Sequence, residues 1–162
     1  MSLKNTYAAA LYEGTFSVGL DKKFNRISRD DKPAKGALKI SLNPFLISTP
    51  DRKFLFDCGI GVFGEDTGPH VIRENLEAHD LTEFDITDVV CSHLHYDHIG
   101  GLAHKENGYW ELTFPEAKIW VSKKGWEKVM NKEVYYDEEK TEFVSFIDGK
   151  ADLHFLDAED EA

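Results

Sequence analysis

Cys91-Ser92-His93-Leu94-His95-Tyr96-Asp97-His98-Ile99-Gly100-Gly101 sets three imidazoles and a carboxylate within six positions, directly after the apolar run Ile86 to Cys91 and directly before a pair of glycines. If Val89, Val90 and Cys91 end a buried strand, His93 and His95 project to one side of a still-extended chain, because side chains two apart share a face there. They can then share one ion. Asp97 and His98 follow once the chain turns towards Gly100 and Gly101, whose permissive backbone suits such a turn, and they suit a second ion beside the first. Imidazole and carboxylate are ligands of zinc and its first-row neighbours, and two ions roughly 3.5–4 Å apart can together hold a hydroxide and polarise a substrate oxygen. The chemistry implied is hydrolysis.

His93-x-His95-x-Asp97-His98, with a short apolar strand before it and Gly-Gly after it, resembles the signature of the metallo-β-lactamase superfamily. Two flanking runs agree. Phe54-Leu55-Phe56-Asp57-Cys58-Gly59 is similar to that family's strand ending in Asp-x-Gly, and Phe114-Pro115-Glu116-Ala117-Lys118-Ile119-Trp120-Val121-Ser122 to the strand after its metal loop. The features are most similar to the lactonase-like branch, which includes N-acyl-homoserine lactonases, and they cover about Leu42 to Met130. The resemblance implies an α/β fold, the N-terminal half of an αββα sandwich with a mixed β-sheet and flanking helices. It also implies a zinc-dependent hydrolase of a lactone or ester, acting by attack of a hydroxide held on the metal. Two zinc ions belong to the complete site, with manganese or iron as substitutes. The ligands would be His93, His95, Asp97 and His98. Asp97 would also orient the nucleophile or carry a proton to the leaving alkoxide, and Asp57 matches the position that braces the metal loop. β-Lactams, thioesters and phosphodiesters are alternative substrates of such a site. A non-catalytic metal- or partner-binding fragment is the alternative from another class.

The family completes its site with a third His, a bridging Asp and a last His, and none of these has a match after His98. His104 lies too near the turn and His154 has the wrong neighbours, so four ligands of an expected seven are present. We expect a single domain over 1–162, incomplete at its C-terminus where the chain ends in the polar run 157–162. A natural short form completed by another copy or subunit, or a degenerate non-catalytic member, would also account for the missing ligands. Two ligands per ion imply weak metal binding. Half a fold leaves apolar surface bare, so a homo-oligomer is expected.

Composition sets the remaining bounds. A chain of 162 residues, 41% hydrophobic and 12% aromatic, is long enough to bury a core and has no segment approaching the ~20 apolar residues of a membrane span. Its formal charge of −11 works against nucleic-acid partners, and the resemblance implies a small-molecule substrate. Cys58 and Cys91 are its only cysteines, each in or beside an apolar run, which reads as two buried thiols in a reducing compartment. The start, Met1-Ser2-Leu3-Lys4, has no signal-like apolar stretch, so a cytoplasmic location is expected.

Along the chain, Tyr7 to Val18 reads as one strand or a bent pair, and Asp21 to Lys35 as a charged loop. In the lactonase-like branch that loop lies on the substrate side, so its basic residues are expected to face a pocket. Leu38 to Ser48 and Asp51 to Cys58 form a hairpin around Thr49-Pro50-Asp51, with Pro44 marking an edge or bulge. Gly59 to Gly68 is a glycine-containing loop, and Pro69 opens a helix to about Ala78. Leu102 to Leu112 reads as a polar loop with Tyr109 and Trp110 at its end, aromatics that would fill core or wall an apolar substrate pocket. Ser122 caps a helix from Lys123 to about Asn131, Tyr135 to Lys140 is acidic and exposed, and Phe143 to Ile147 and Leu153 to Leu156 are two short strands joined through the Asp148-Gly149 turn.

Overall fold

The structure is a computed structural model that describes residues 5–64, 69–133 and 136–156. Gly68 and the C-terminal run 157–162, on which two of the expectations above fall, lie outside the described residues. The strands are β1 (Tyr7–Ala10), β2 (Gly14–Val18), β3 (Phe24–Ile27), β4 (Leu38–Leu42), β5 (Phe45–Ser48), β6 (Lys53–Phe56), β7 (Asp88–Val90), β8 (Ala103–Glu106), β9 (Tyr109–Leu112), β10 (Lys118–Ser122) and β11 (Asp152–Leu156). The helices are α1 (Pro69–Glu77), α2 (Tyr96–Ile99), α3 (Lys123–Met130) and α4 (Glu138–Lys150). The fold is mixed α/β, as the sequence implied.

Among the described residues the strands form a six-stranded sheet in the order β1-β5-β6-β7-β10-β11, a three-stranded sheet β3-β2-β4 and the hairpin β8-β9. The large sheet is mixed. β1, β5 and β6 run antiparallel, whereas β6, β7, β10 and β11 are parallel neighbours. Parallel neighbours need crossovers, and α1 supplies the one from β6 to β7, α3 and α4 the one from β10 to β11. Leu46, Leu55, Val89 and Ile119 lie side by side in register and are buried against the helices. The next row, Phe45, Phe56, Val90 and Trp120, faces the other way. Phe45 is 52% exposed and Phe56 40% exposed there, so this face of the sheet is partly bare.

Several expectations need correction. Phe143 to Ile147 is not a strand but the middle of α4: Asp137 caps the helix by accepting from Lys140 N, and Phe143, Val144 and Ile147 fall on one buried face. The spacing i, i+1, i+4 is helical, and the Asp148-Gly149 signal read as a hairpin turn lies in the last helical turn. Leu153 to Leu156 therefore joins the large sheet beside β10. The segment read as a polar loop after Gly101 is the hairpin β8-β9, turned by Asn107 and Gly108, both at positive φ, an Asn-Gly signal the residues carried all along. Tyr109 at its tip is 77% exposed and does not fill core. The charged loop Asp21 to Lys35 contains β3, which pairs with β2. Lys140, expected on an exposed stretch, is half-buried within α4. Tyr135 lies outside the described residues.

Other elements agree with the sequence. β5 and β6 form the hairpin, but Leu38 to Ser48 is not one strand: the chain breaks at Asn43 and Pro44, and β4 and β5 enter different sheets. Ser122 Oγ accepts from Gly125 N at 3.2 Å and caps α3. Cys58 and Cys91 are free and buried. No helix among the described residues is long and apolar enough to cross a membrane.

Candidate metal centre

β6 and β7 are parallel and end level, Phe56 opposite Val90, so the residues that follow them meet at the C-terminal edge of the sheet. That edge is where open α/β sheets carry their ligand crevices. Asp57 N donates to Val90 O at 2.9 Å, and the Asp57 backbone then enters the left-handed region at φ 59°, which turns its carboxylate across to the next strand. Oδ1 accepts from Ser92 N at 2.7 Å. Oδ2 accepts from Ser92 Oγ at 2.8 Å and from His98 Nδ1 at 2.7 Å. Burial opposes ionisation of Asp57, but the hydrogen bonds from His98 and Ser92 outweigh it and hold the carboxyl below the usual range. The hydrogen bond to Asp57 raises the pKa of His98. It also assigns the proton to Nδ1 and leaves Nε2 with its lone pair free for an electrophile.

The loop between β7 and α2 gathers the imidazoles. His93 Nδ1 is 3.0 Å from Ser92 Oγ, and its Nε2 is 3.2 Å from His95 Nδ1. The His93 ring centroid is 4.6 Å from that of His95 and 4.0 Å from that of His98. Burial, followed by the neighbouring His98 and His95, lowers the pKa of His93. Asp97, in the first turn of α2, holds Oδ2 at 3.5 Å from His98 Nε2.

Tight backbone contact fixes this loop beneath. Cys58 N donates to His98 O at 2.9 Å, and a Cβ on Gly101 would lie 2.0 Å from Cys58 O. Glu13, buried at the entrance of β2, accepts from Ile60 N at 2.9 Å and from Gly61 N at 3.1 Å. Burial raises its pKa against the pull of those amides. Glu13 and Tyr136, whose hydroxyl donates to Leu94 O, were not singled out from sequence. An acid inside the apolar run Leu11 to Val18 was a visible signal for Glu13, whereas nothing local marks Tyr136.

Bond lengths of about 2.0–2.1 Å to a tetrahedral zinc place two ligand nitrogens about 3.3–3.4 Å apart. The Asp97–His98 separation of 3.5 Å is close to that spacing, and the His93–His95 separation of 3.2 Å is that of a hydrogen bond between the two rings. Among the described residues no group of three or more His, Cys, Asp or Glu side chains is disposed to hold one ion. Burial pushes the Cys91 thiol up to about 12 and the Cys58 thiol well above its ordinary value. His104 pairs with Thr113 and His154 with Asp152, away from these four side chains.

Two clefts flank the loop and share Asp97. One, of about 600 Å³, is lined by Val18, Phe24, His95, Tyr96 and Lys140 among others. The other, of about 540 Å³, is lined by Phe45, Phe56, Asp57 and His98 among others. The Tyr96 hydroxyl is tied to Lys22 O at 2.9 Å, which leaves its ring as the wall of the first cleft. Of the basic residues expected to face a pocket, Lys22 lines this cleft. Arg26 instead donates to Glu13 O at 3.0 Å, and Arg29 stacks over Tyr12.

Comparison with known proteins adds three kinds of finding. A family model described as the metallo-beta-lactamase superfamily matches residues 41–161. Among solved structures, the dizinc quorum-quenching lactonase AidC, in complex with a product, superposes with a TM-score of 0.70 at 22% identity, covering 98% of this chain and 60% of that one. A probable metal-dependent hydrolase from Staphylococcus aureus gives a TM-score of 0.68 at 21% identity, over 97% of this chain and 61% of that one. At this identity the likeness is one of fold. A curated relative, the transcription termination factor FttA of Methanocaldococcus jannaschii, is 38% identical over 69 residues, 40% of this chain and 10% of that protein. The chain thus spans about 60% of the length of these solved structures and a tenth of that factor.

Proposed function

The chain belongs to the metallo-beta-lactamase superfamily, and on that premise we propose that it serves a metal-dependent hydrolase of a lactone or related ester. His93 with His95 holds one ion and Asp97 with His98 a second. The observation that carries this reading is the gathering of the three imidazoles and the Asp97 carboxylate on a loop braced by Asp57. Fold neighbours that hold N-hexanoyl-homoserine products support the choice of a lactone. Zinc, or manganese or iron in its place, would supply Lewis acidity and a nucleophile available near neutral pH.

The chain's own residues do the rest. Asp57, kept ionised, orients His98, and Ser92 orients His93 through its hydroxyl. Asp97 faces both clefts, so it can take up a proton on one side and deliver it to a leaving alkoxide on the other. Val18, Phe24 and the Tyr96 ring form an apolar wall suited to the acyl part of a substrate. A catalytic zinc usually has three protein ligands, so two per ion give weak retention, and the remaining donors come from beyond these residues. The partly bare sheet face around Phe45 and Phe56 fits a homo-oligomer. Two free buried thiols suit the cytoplasm, and a charge of −11 argues against a nucleic-acid substrate.

The test is elemental analysis of the zinc-loaded protein, with lactone hydrolysis followed in a weakly buffered indicator assay. His95→Ala is expected to lose both metal and turnover. Full metal content and activity in that variant would overturn the assignment.

A further inference from the structure

Two of the three imidazoles on the metal loop have a partner outside the trio. His98 Nδ1 donates to Asp57 Oδ2, and His93 Nδ1 lies 3.0 Å from Ser92 Oγ. The His95 ring differs. Its one hydrogen-bonding contact among the described residues is with His93 Nε2, the neighbouring imidazole itself.

His95 is fixed instead through its backbone. Its carbonyl accepts from His98 N at 2.9 Å and Ile99 N at 3.1 Å, so it stands extended, at φ −72° and ψ 143°, immediately before α2. On the other side, the Leu94 carbonyl accepts from the Tyr136 hydroxyl. Because a peptide unit is planar, that bond fixes the whole plane joining Leu94 to His95. Turning this plane would change φ of His95 and swing its imidazole away from His93.

Tyr136 immediately precedes Asp137, which caps α4 by accepting from Lys140 N at 2.9 Å. Its ring is half-buried against the main core, and burial raises its pKa, so the hydroxyl keeps its proton for Leu94. One turn on, Lys140 is ion-paired with Asp137 and sets Nζ 4.6 Å from the centre of the Tyr96 ring and 5.6 Å from that of Phe63. Leu94 and Tyr96 flank His95 in the chain. The start of α4 therefore holds the residue on each side of this histidine.

We propose that Tyr136 is a positioning residue for His95, the counterpart of Asp57 behind His98, with Lys140 as a second and weaker hold through Tyr96. Its consequence for zinc affinity rests on the metal-site reading above, whereas its effect on the ring is a property of the metal-free chain.

Tyr136→Phe removes one hydroxyl and keeps the ring in its packing. In NMR spectra of the zinc-free protein, the His95 ring signals are expected to shift and the contact between the His93 and His95 rings to weaken, while the His98 ring signals stay in place. Zinc affinity, from competition with a chromophoric chelator, is expected to fall about tenfold, the lower end for loss of a partner behind a ligating His, because Tyr136 acts through a peptide and not on the ring. Lys140→Met keeps the aliphatic stem without the charge and is expected to lose about threefold, the scale of a cation–π contact; an unchanged affinity there would strike Lys140 from the proposal. His95 ring signals left as in the wild type by Tyr136→Phe would overturn it, whatever happens to the Tm. Unchanged zinc affinity in that variant would overturn it as well. A wild-type chain that takes up no zinc would defeat the metal reading instead, and the zinc-free spectra would still decide the role of Tyr136.

Discussion

Replacing Asp57 by Ala removes the acceptor of three hydrogen bonds, those from Ser92 N, Ser92 Oγ and His98 Nδ1. Ser92 is exposed, so water can take over both of its donors at little cost. The loss concentrates on His98, whose side chain is 29% exposed and whose bond to a carboxylate is worth about 1.5–3 kcal/mol. Ala is also less at ease than Asp at φ 59°, which adds up to about 1 kcal/mol. A total of about 3 kcal/mol corresponds to a fall in Tm of about 6–12 °C for a chain of this size. Asp57→Asn tolerates the left-handed backbone and keeps an acceptor for Ser92 N, and is expected to lose about half as much. Thermal melts followed by circular dichroism in EDTA measure both. Zinc titration should show a further 10–100-fold loss of affinity, typical when the partner of a ligating His is removed. An Asp57→Ala melt within 2 °C, with zinc affinity unchanged, would refute the idea that this carboxylate organises the loop; those margins are about a third of the smallest shift expected.

Two further perturbations probe what lies beneath the loop. Asp88, fully buried, accepts from Thr87 Oγ1 at 2.7 Å, Trp120 Nε1 at 2.9 Å and Arg52 Nε at 3.1 Å. Burial opposes its ionisation but these donors win, so its folded pKa is depressed. Its contribution is therefore present above the unfolded carboxyl value of about 3.9 and lost as pH falls through the folded one. With Arg52 half exposed, Asp88→Asn should lower stability by about 2 kcal/mol at pH 7 and flatten the acid limb, read from Tm between pH 7 and 3; an unchanged acid limb would count against it. Gly101→Ala drives a methyl against Cys58 O and is expected to cost about 1–3 kcal/mol and to weaken zinc uptake. A wild-type melt with full uptake would show that the loop does not need this close approach.

The linear chain settled the features whose causes are local. Asp97 and the three histidines are adjacent in sequence, Ser122 meets its helix three residues on, and Thr49-Pro50-Asp51 can only turn, so strand, cap, hairpin and donor cluster were all legible. The helix over Phe143 to Ile147 was missed although its pattern was present, because a short apolar run serves strand and helix alike until its length is known. What only the tertiary structure decided are meetings across long stretches of chain. Asp57 reaches Ser92 and His98 because β6 and β7 end level, Glu13 caps the amides of Ile60 and Gly61 from another sheet, and the Tyr136 hydroxyl finds Leu94. Residue type and spacing specify which atoms can bind an ion, but the register of parallel strands, fixed by packing at a distance, decides which carboxylate stands behind them.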